Sequence, residues 1–218
     1  MGVAHTSAVN HFNCFYLSIL MLLKLNDFAL ILIISTSVFN LVVRIWRLNI
    51  IALILQYLGI FIIIGSMWPI ELAIIKLLVG WMVSTVLGIT LFSLKSKNSA
   101  KERIDVPGQI FRGITGLLIV IFVNYLTPSI KAVLSANSME ANIFSGLILL
   151  GIGLFQMGLT SDLLYIIIGL LTFISGFEVL YAVVEMSTLL SGLLAGINLG
   201  LILVGSWLLS KVHEGEIV

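Results

Sequence analysis

The sequence predicts an all-α integral membrane protein of about seven transmembrane helices, and three observations predict it. Hydrophobic residues fill 60% of the 218 positions and charged residues only 10%, against roughly 25% charged in an ordinary soluble domain. The apolar residues gather into runs of about 16 to 25, close to the ~20 that carry a helix across a bilayer. These runs lack the strict alternation of a membrane β-barrel, and a helix satisfies each backbone group within its own segment.

Residues 1–27 form an amino-terminal extension. Phe15 to Leu23 is a short apolar run, but Met1 to Asn13 holds no Lys or Arg and no small-residue cleavage site follows, so a signal peptide is not expected. The extension either lengthens the first span or precedes a start at Met21, which would make Lys24, Asn26 and Asp27 the polar edge of the first helix. The seven spans are expected near Phe28 to Val43, Asn49 to Trp68, Ile70 to Leu94, Phe111 to Thr127, Ile143 to Leu159, Asp162 to Val184 and Met186 to Ser210. Residues 28–94 make a first three-helix unit, 95–127 a basic loop with a connecting helix, and 143–211 a second three-helix unit. The two units are faintly alike: Arg47 to Ile51 opens span two as Thr160 to Leu164 opens span six, and Leu87-Gly88 matches Leu199-Gly200. Chance similarity between apolar stretches explains this as well as duplication does.

Basic residues beside the spans set the expected orientation. Arg44 and Arg47 lie between spans one and two, and Lys95, Lys97, Lys101, Arg103 and Arg112 surround the link of spans three and four, where Pro107-Gly108 reads as a turn. Both links are expected in the cytoplasm, with the amino end outside and Lys211 inside.

Ionisable residues within apolar runs cost free energy unless paired or set in a protected cavity, which makes them the candidates for function. Lys76 lies about 9 Å into span three, and Glu178 lies at a similar depth from the same surface in span six. Paired, each offsets the other's desolvation. As a relay they would pass a proton or cation; as a structural pair, or snorkelling to the interface, they would only hold helices. Asn198, near mid-membrane, is a third relay candidate. Glu71 follows Trp68-Pro69 in a first helical turn, and Glu185 occupies the outer link between spans six and seven, so both are weaker candidates with solvated surroundings expected. Gln56, Asn124 and Gln156 are expected to hydrogen-bond between helices, and Gly192, Gly196 and Gly200, with Gly151 and Gly153, to clear faces for close helix contact or subunit docking.

Some functions are excluded by composition. A net charge of +1 gives no basic face for nucleic acid. The single Cys14 excludes an intramolecular disulfide and cysteine-rich metal sites, and His5, His11 and His213 lie near the chain ends, so no resident cofactor or metal is expected and no catalytic residue is assigned. Lipid and other membrane proteins are the expected partners.

A resemblance adds to this. The run Asp162 to Leu170, preceded by Gly151-Ile152-Gly153-Leu154, resembles the three-helix subunit K of bacterial respiratory complex I and its relative among the small membrane subunits of the multisubunit sodium/proton antiporters. With Phe39 to Leu48 and Ile75 to Val79 included, the chain from about Met21 to Lys211 resembles component E of hydrogenase-4. The resemblance implies a carboxyl half like subunit K, a bacterial or archaeal cytoplasmic membrane, antiporter-like partner subunits, and a supporting role in proton translocation with redox chemistry left to other chains. Two departures accompany it. Leu171 stands where the family carries its first proton-path glutamate, and Gly196 where the last helix carries another, with Asn198 the nearest polar residue. Glu178 lies on the same helical face as Leu171, about two turns on, so the family's carboxylate is either displaced along that face or lost. The alternative is a self-contained small multi-pass transporter or membrane scaffold.

Overall fold

The computed structural model describes residues 24–97, 106–134, 140–185, 187–213 and 215; the extension before Lys24 and most of the basic loop lie outside the described residues. Seven helices long and apolar enough to cross a membrane run through them. They are α1 (Lys24–Val42), α2 (Trp46–Gly65), α3 (Ile70–Lys97), α4 (Val106–Leu134), α5 (Glu140–Gly158), α6 (Leu163–Val184) and α7 (Thr188–His213). The protein is an all-α, multi-pass integral membrane protein.

Helix ends follow local chemistry. Pro69 cannot extend α2, and its carbonyl instead accepts from Leu72 and Ala73 as α3 begins. Pro107 occupies the first turn of α4, where a missing N–H is harmless, so the Pro107-Gly108 pair starts a helix and is not the expected turn. The same helix continues through Pro128, which makes it longer than the expected Phe111 to Thr127 span. Helix α1 is already helical at Lys24, the first described residue, before the apolar run at Phe28, and Asn26 is buried against the protein while Lys24 and Asp27 are exposed.

Helix α6 sits at the centre: 61% of its apolar window is buried, against 28% for α4, which turns mostly to lipid. It packs most closely on α5 through glycines. A Cβ on Gly153 would stand 2.5 Å from Phe173 N and 2.7 Å from Gly169 O, and one on Gly176 would stand 2.5 Å from Leu150 N. Only glycine permits this backbone approach. One apolar core unites Ile33 of α1, Leu53 and Ile60 of α2, Val83 and Leu87 of α3, Ile168 and Leu171 of α6 and Ile202 of α7. A second cluster joins Leu41, Ile119, Val123, Ile148 and Ile152 of α1, α4 and α5. Three glycines of α7 differ from Gly153 of α5: among the described residues nothing lies within 4 Å of a Cβ at Gly192, Gly196 or Gly200.

Candidate functional site

Thr172, Ser175 and Glu178 recur every three residues along α6, which aligns them in a polar stripe. Apolar neighbours cover the stripe, and all three residues are buried. Each member meets a polar group from another helix or from its own backbone. Gln56 Nε2 of α2 donates to Thr172 Oγ1 at 3.2 Å, and Asn40 Nδ2 of α1 donates to Gln56 Oε1 at 3.2 Å. Ser175 Oγ donates to Leu171 O at 2.8 Å. Tyr57, next to Gln56, has Ser175 and Glu178 as polar neighbours, while its Oη completes no hydrogen bond among the described residues.

The stripe ends in the ion pair. Lys76 Nζ of α3 lies 2.5 Å from Glu178 Oε1, and Asn198 Nδ2 of α7 donates to the same oxygen at 2.9 Å. Relative exposures of 5%, 3% and 1% place Lys76, Glu178 and Asn198 out of contact with solvent and lipid headgroups. Equal depth explains the meeting: the two charged residues lie about 9 Å from the same end of their antiparallel helices. One turn beyond Lys76, Gly80 leaves room for the Tyr57 ring, which a Cβ would overlap. The small residue on α3 therefore allows α2 to approach the pair closely.

The two ends of the stripe differ. Toward the Trp68 end, Trp68 is 6% exposed and its Nε1 donates to Ala182 O at 3.1 Å, which pins the indole across α6 one turn beyond Glu178. Toward the other end lies a narrow cleft lined by Asn40, Arg44, Arg112, Gln156 and Tyr165. There Arg44 donates to Asp162 Oδ2 at 2.6 Å and stacks 4.4 Å over the Tyr165 ring, and Gln156 Nε2 donates to Tyr165 O at 3.2 Å.

The structure thus brings together three of the sequence-derived candidates, Lys76, Glu178 and Asn198, and leaves the other two apart. Glu71 and Glu185 are exposed at the Trp68 end and join no buried cluster. Gln56 and Gln156 bond between helices as expected, whereas Asn124 is exposed beside Thr127 and Pro128. Asn40, Thr172 and Ser175 escaped sequence reasoning. For Thr172 and Ser175 the signal was present in the three-residue spacing that leads to Glu178, but hydroxyls in a membrane helix usually bond their own backbone and so attract little notice. Among the described residues no group of three or more His, Cys, Asp and Glu side chains is placed to hold a metal.

Chemically, the cluster pairs a group that can gain a proton with one that can lose it, inside a low-dielectric interior where neither charge is stable alone. Comparison with protein-family models, curated proteins and solved structures finds no match for the chain.

Proposed function

We propose that this protein is a non-catalytic membrane subunit of a multisubunit respiratory, hydrogenase-type or antiporter-type complex, in which Lys76, Glu178 and Asn198 support the movement of a proton or other small cation. The buried Lys76–Glu178 pair carries the reading. A membrane protein gains nothing in stability from such a pair that well-packed apolar side chains would not supply, so its presence points to use. A proton reaching the Glu178 carboxylate converts it to the acid and removes the counter-charge of Lys76. The ammonium then releases a proton onward, and transfer of the Glu178 proton to the neutral Lys76 amine restores the ion pair, so that one proton has crossed. Asn198 keeps the carboxyl group oriented through its hydrogen bond to Oε1.

The subunit reading draws on the resemblance to component E of hydrogenase-4, on short connections, and on the α7 face at Gly192, Gly196 and Gly200, which meets nothing among the described residues. Under the positive-inside rule, the end carrying Arg44, Arg47 and Lys211 is cytoplasmic.

Two measurements test the proposal. Affinity purification after mild detergent extraction is expected to recover large antiporter-like subunits with hydrophilic redox subunits; a clean homo-oligomer overturns the subunit reading in favour of a self-contained transporter. In vesicles holding the intact assembly, Glu178→Gln is expected to lower coupled ion flux at least about tenfold. Full flux in that variant overturns the relay.

A further inference from the structure

The Lys76–Glu178 pair lies about 9 Å from the Trp68 end of α3 and α6 and about 22 Å from the opposite end of α6, at about 1.5 Å per residue. Distance alone would favour entry from the Trp68 end. The side chains argue the reverse. The short way is crossed by the Trp68 indole, held to Ala182 O, with Val179 and Ala182 buried around it. The long way is lined by Asn40, Gln56, Thr172 and Ser175, linked in sequence by the Asn40–Gln56 and Gln56–Thr172 hydrogen bonds and then by the α6 spacing of about 4.5 Å per three residues.

A second observation follows the same path. Asn40 Oδ1 and Gln156 Oε1 beside the cleft, Tyr57 Oη midway, and Asn198 Oδ1 at the pair are buried and complete no hydrogen bond among the described residues. Buried polar groups in native proteins are almost always satisfied, and ordered or transient water supplies the remainder. Unpartnered atoms at the beginning, middle and end of one polar line mark where such water would bond.

We propose that Asn40, Gln56, Thr172 and Ser175 form an intermittently hydrated access leg that opens the Lys76–Glu178 pair to the Arg44 face, while Trp68 closes the shorter way to the opposite face. Asn40 and Gln56 orient the water, since amides donate and accept without themselves passing protons; the Thr172 and Ser175 hydroxyls do both. The cleft admits no water-sized sphere in this conformation, so access is through transient opening. Its use in transport rests on the proposed relay, but the accessibility itself does not.

Cysteine reactivity tests it. In a Cys14→Ser background, Thr172→Cys and the nearly isosteric Ser175→Cys are exposed to a small membrane-impermeant methanethiosulfonate in sealed vesicles of each orientation. Asp162→Cys and Glu185→Cys identify the two faces, because both positions are exposed at opposite ends of α6. Ile168→Cys, fully buried and apolar on the same helix, gives the rate of a closed site. The expected result is modification of Thr172→Cys and Ser175→Cys from the Asp162 face at least about tenfold faster than Ile168→Cys. Rates equal to Ile168→Cys from both faces, or faster reaction from the Glu185 face, overturn the proposal. Ser175→Cys alone decides the matter if Thr172→Cys does not fold. Normal flux in Glu178→Gln with these cysteines still reactive would remove the relay and leave the access leg; loss of flux without reactivity would do the opposite.

Discussion

Lys76 of α3 and Glu178 of α6 meet at 2.5 Å in the interior of a seven-helix membrane protein, although 102 positions separate them in the chain. Their union needs equal depth in two antiparallel helices and close packing of α2 and α7 around them. Neither charge has another charged partner among the described residues. Single substitutions are therefore expected to be costly. Lys76→Met or Glu178→Gln should each destabilise the protein by about 3–5 kcal/mol, whereas the double variant should recover most of that loss, because an unpaired buried charge costs far more than a missing pair. Thermal unfolding of the four proteins in one detergent checks this; additive losses would show that the residues are uncoupled. A relay role further expects the stable double variant to fail in coupled transport, and a structural role expects it to function.

Asn198 contributes one charge-assisted hydrogen bond to Glu178. Asn198→Ala should lower stability by about 1.5–3 kcal/mol. Asn198→Asp should lower it more at neutral pH, by placing a second carboxylate against the first. Thermal unfolding of the two variants side by side is the measurement, and an aspartate variant as stable as wild type would show that the geometry at Oε1 is not maintained.

The crossing of α5 and α6 depends on glycine. Gly153→Ala places a methyl group against Phe173 N and Gly169 O, and should cost about 1–3 kcal/mol through forced separation of the helices. Gly192→Ala meets open space and should be nearly neutral for the chain itself, by less than about 0.5 kcal/mol relative to surface substitutions elsewhere. Size-exclusion profiles and unfolding temperatures of the two variants should separate them; equal behaviour would contradict the packing.

If a partner helix covers the α7 glycine face, Gly196→Leu should impair assembly more than Leu194→Ala, while leaving the isolated chain as stable as wild type. Copurification yield reads assembly, and unfolding temperature reads the chain. Normal assembly in the leucine variant would remove this face from the interface.

Topology has its own test. Cysteines at Lys97 and Lys211 should resist an external impermeant thiol reagent while one at Glu185, exposed between α6 and α7, should react, with Cys14 replaced to remove background. Ala136, in the link between α4 and α5, lies outside the described residues and is expected to react by the same positive-inside argument. External labelling at Lys97 would reverse the orientation.

The sequence by itself determined the membrane class, the number of helices and the two charged residues worth pursuing. Those follow from composition and run length, which the bilayer reads directly: an apolar stretch of about 20 residues has no other stable state there. It also ranked Lys76 and Glu178 above Glu71 and Glu185, because depth in a span can be counted along the chain. Helix ends were less legible. Pro107 reads as a turn in the sequence and the expected fourth span ends at Thr127, but Pro107 and Pro128 both sit inside α4, since a proline is harmless in a first turn and a lost hydrogen bond is tolerated where neighbouring helices support the backbone. What only the tertiary structure decided is which polar groups meet. Asn40, Gln56 and Thr172 belong to three helices, and their alignment depends on helix rotation and crossing, set by side-chain packing such as the Gly153–Gly169 approach and not by hydropathy. The same holds for glycine. It is spaced more regularly in α7 than in α5, yet Gly153 of α5 carries a helix crossing while Gly192, Gly196 and Gly200 meet nothing among the described residues, because a small-residue stripe permits close contact but only a neighbouring backbone can use it.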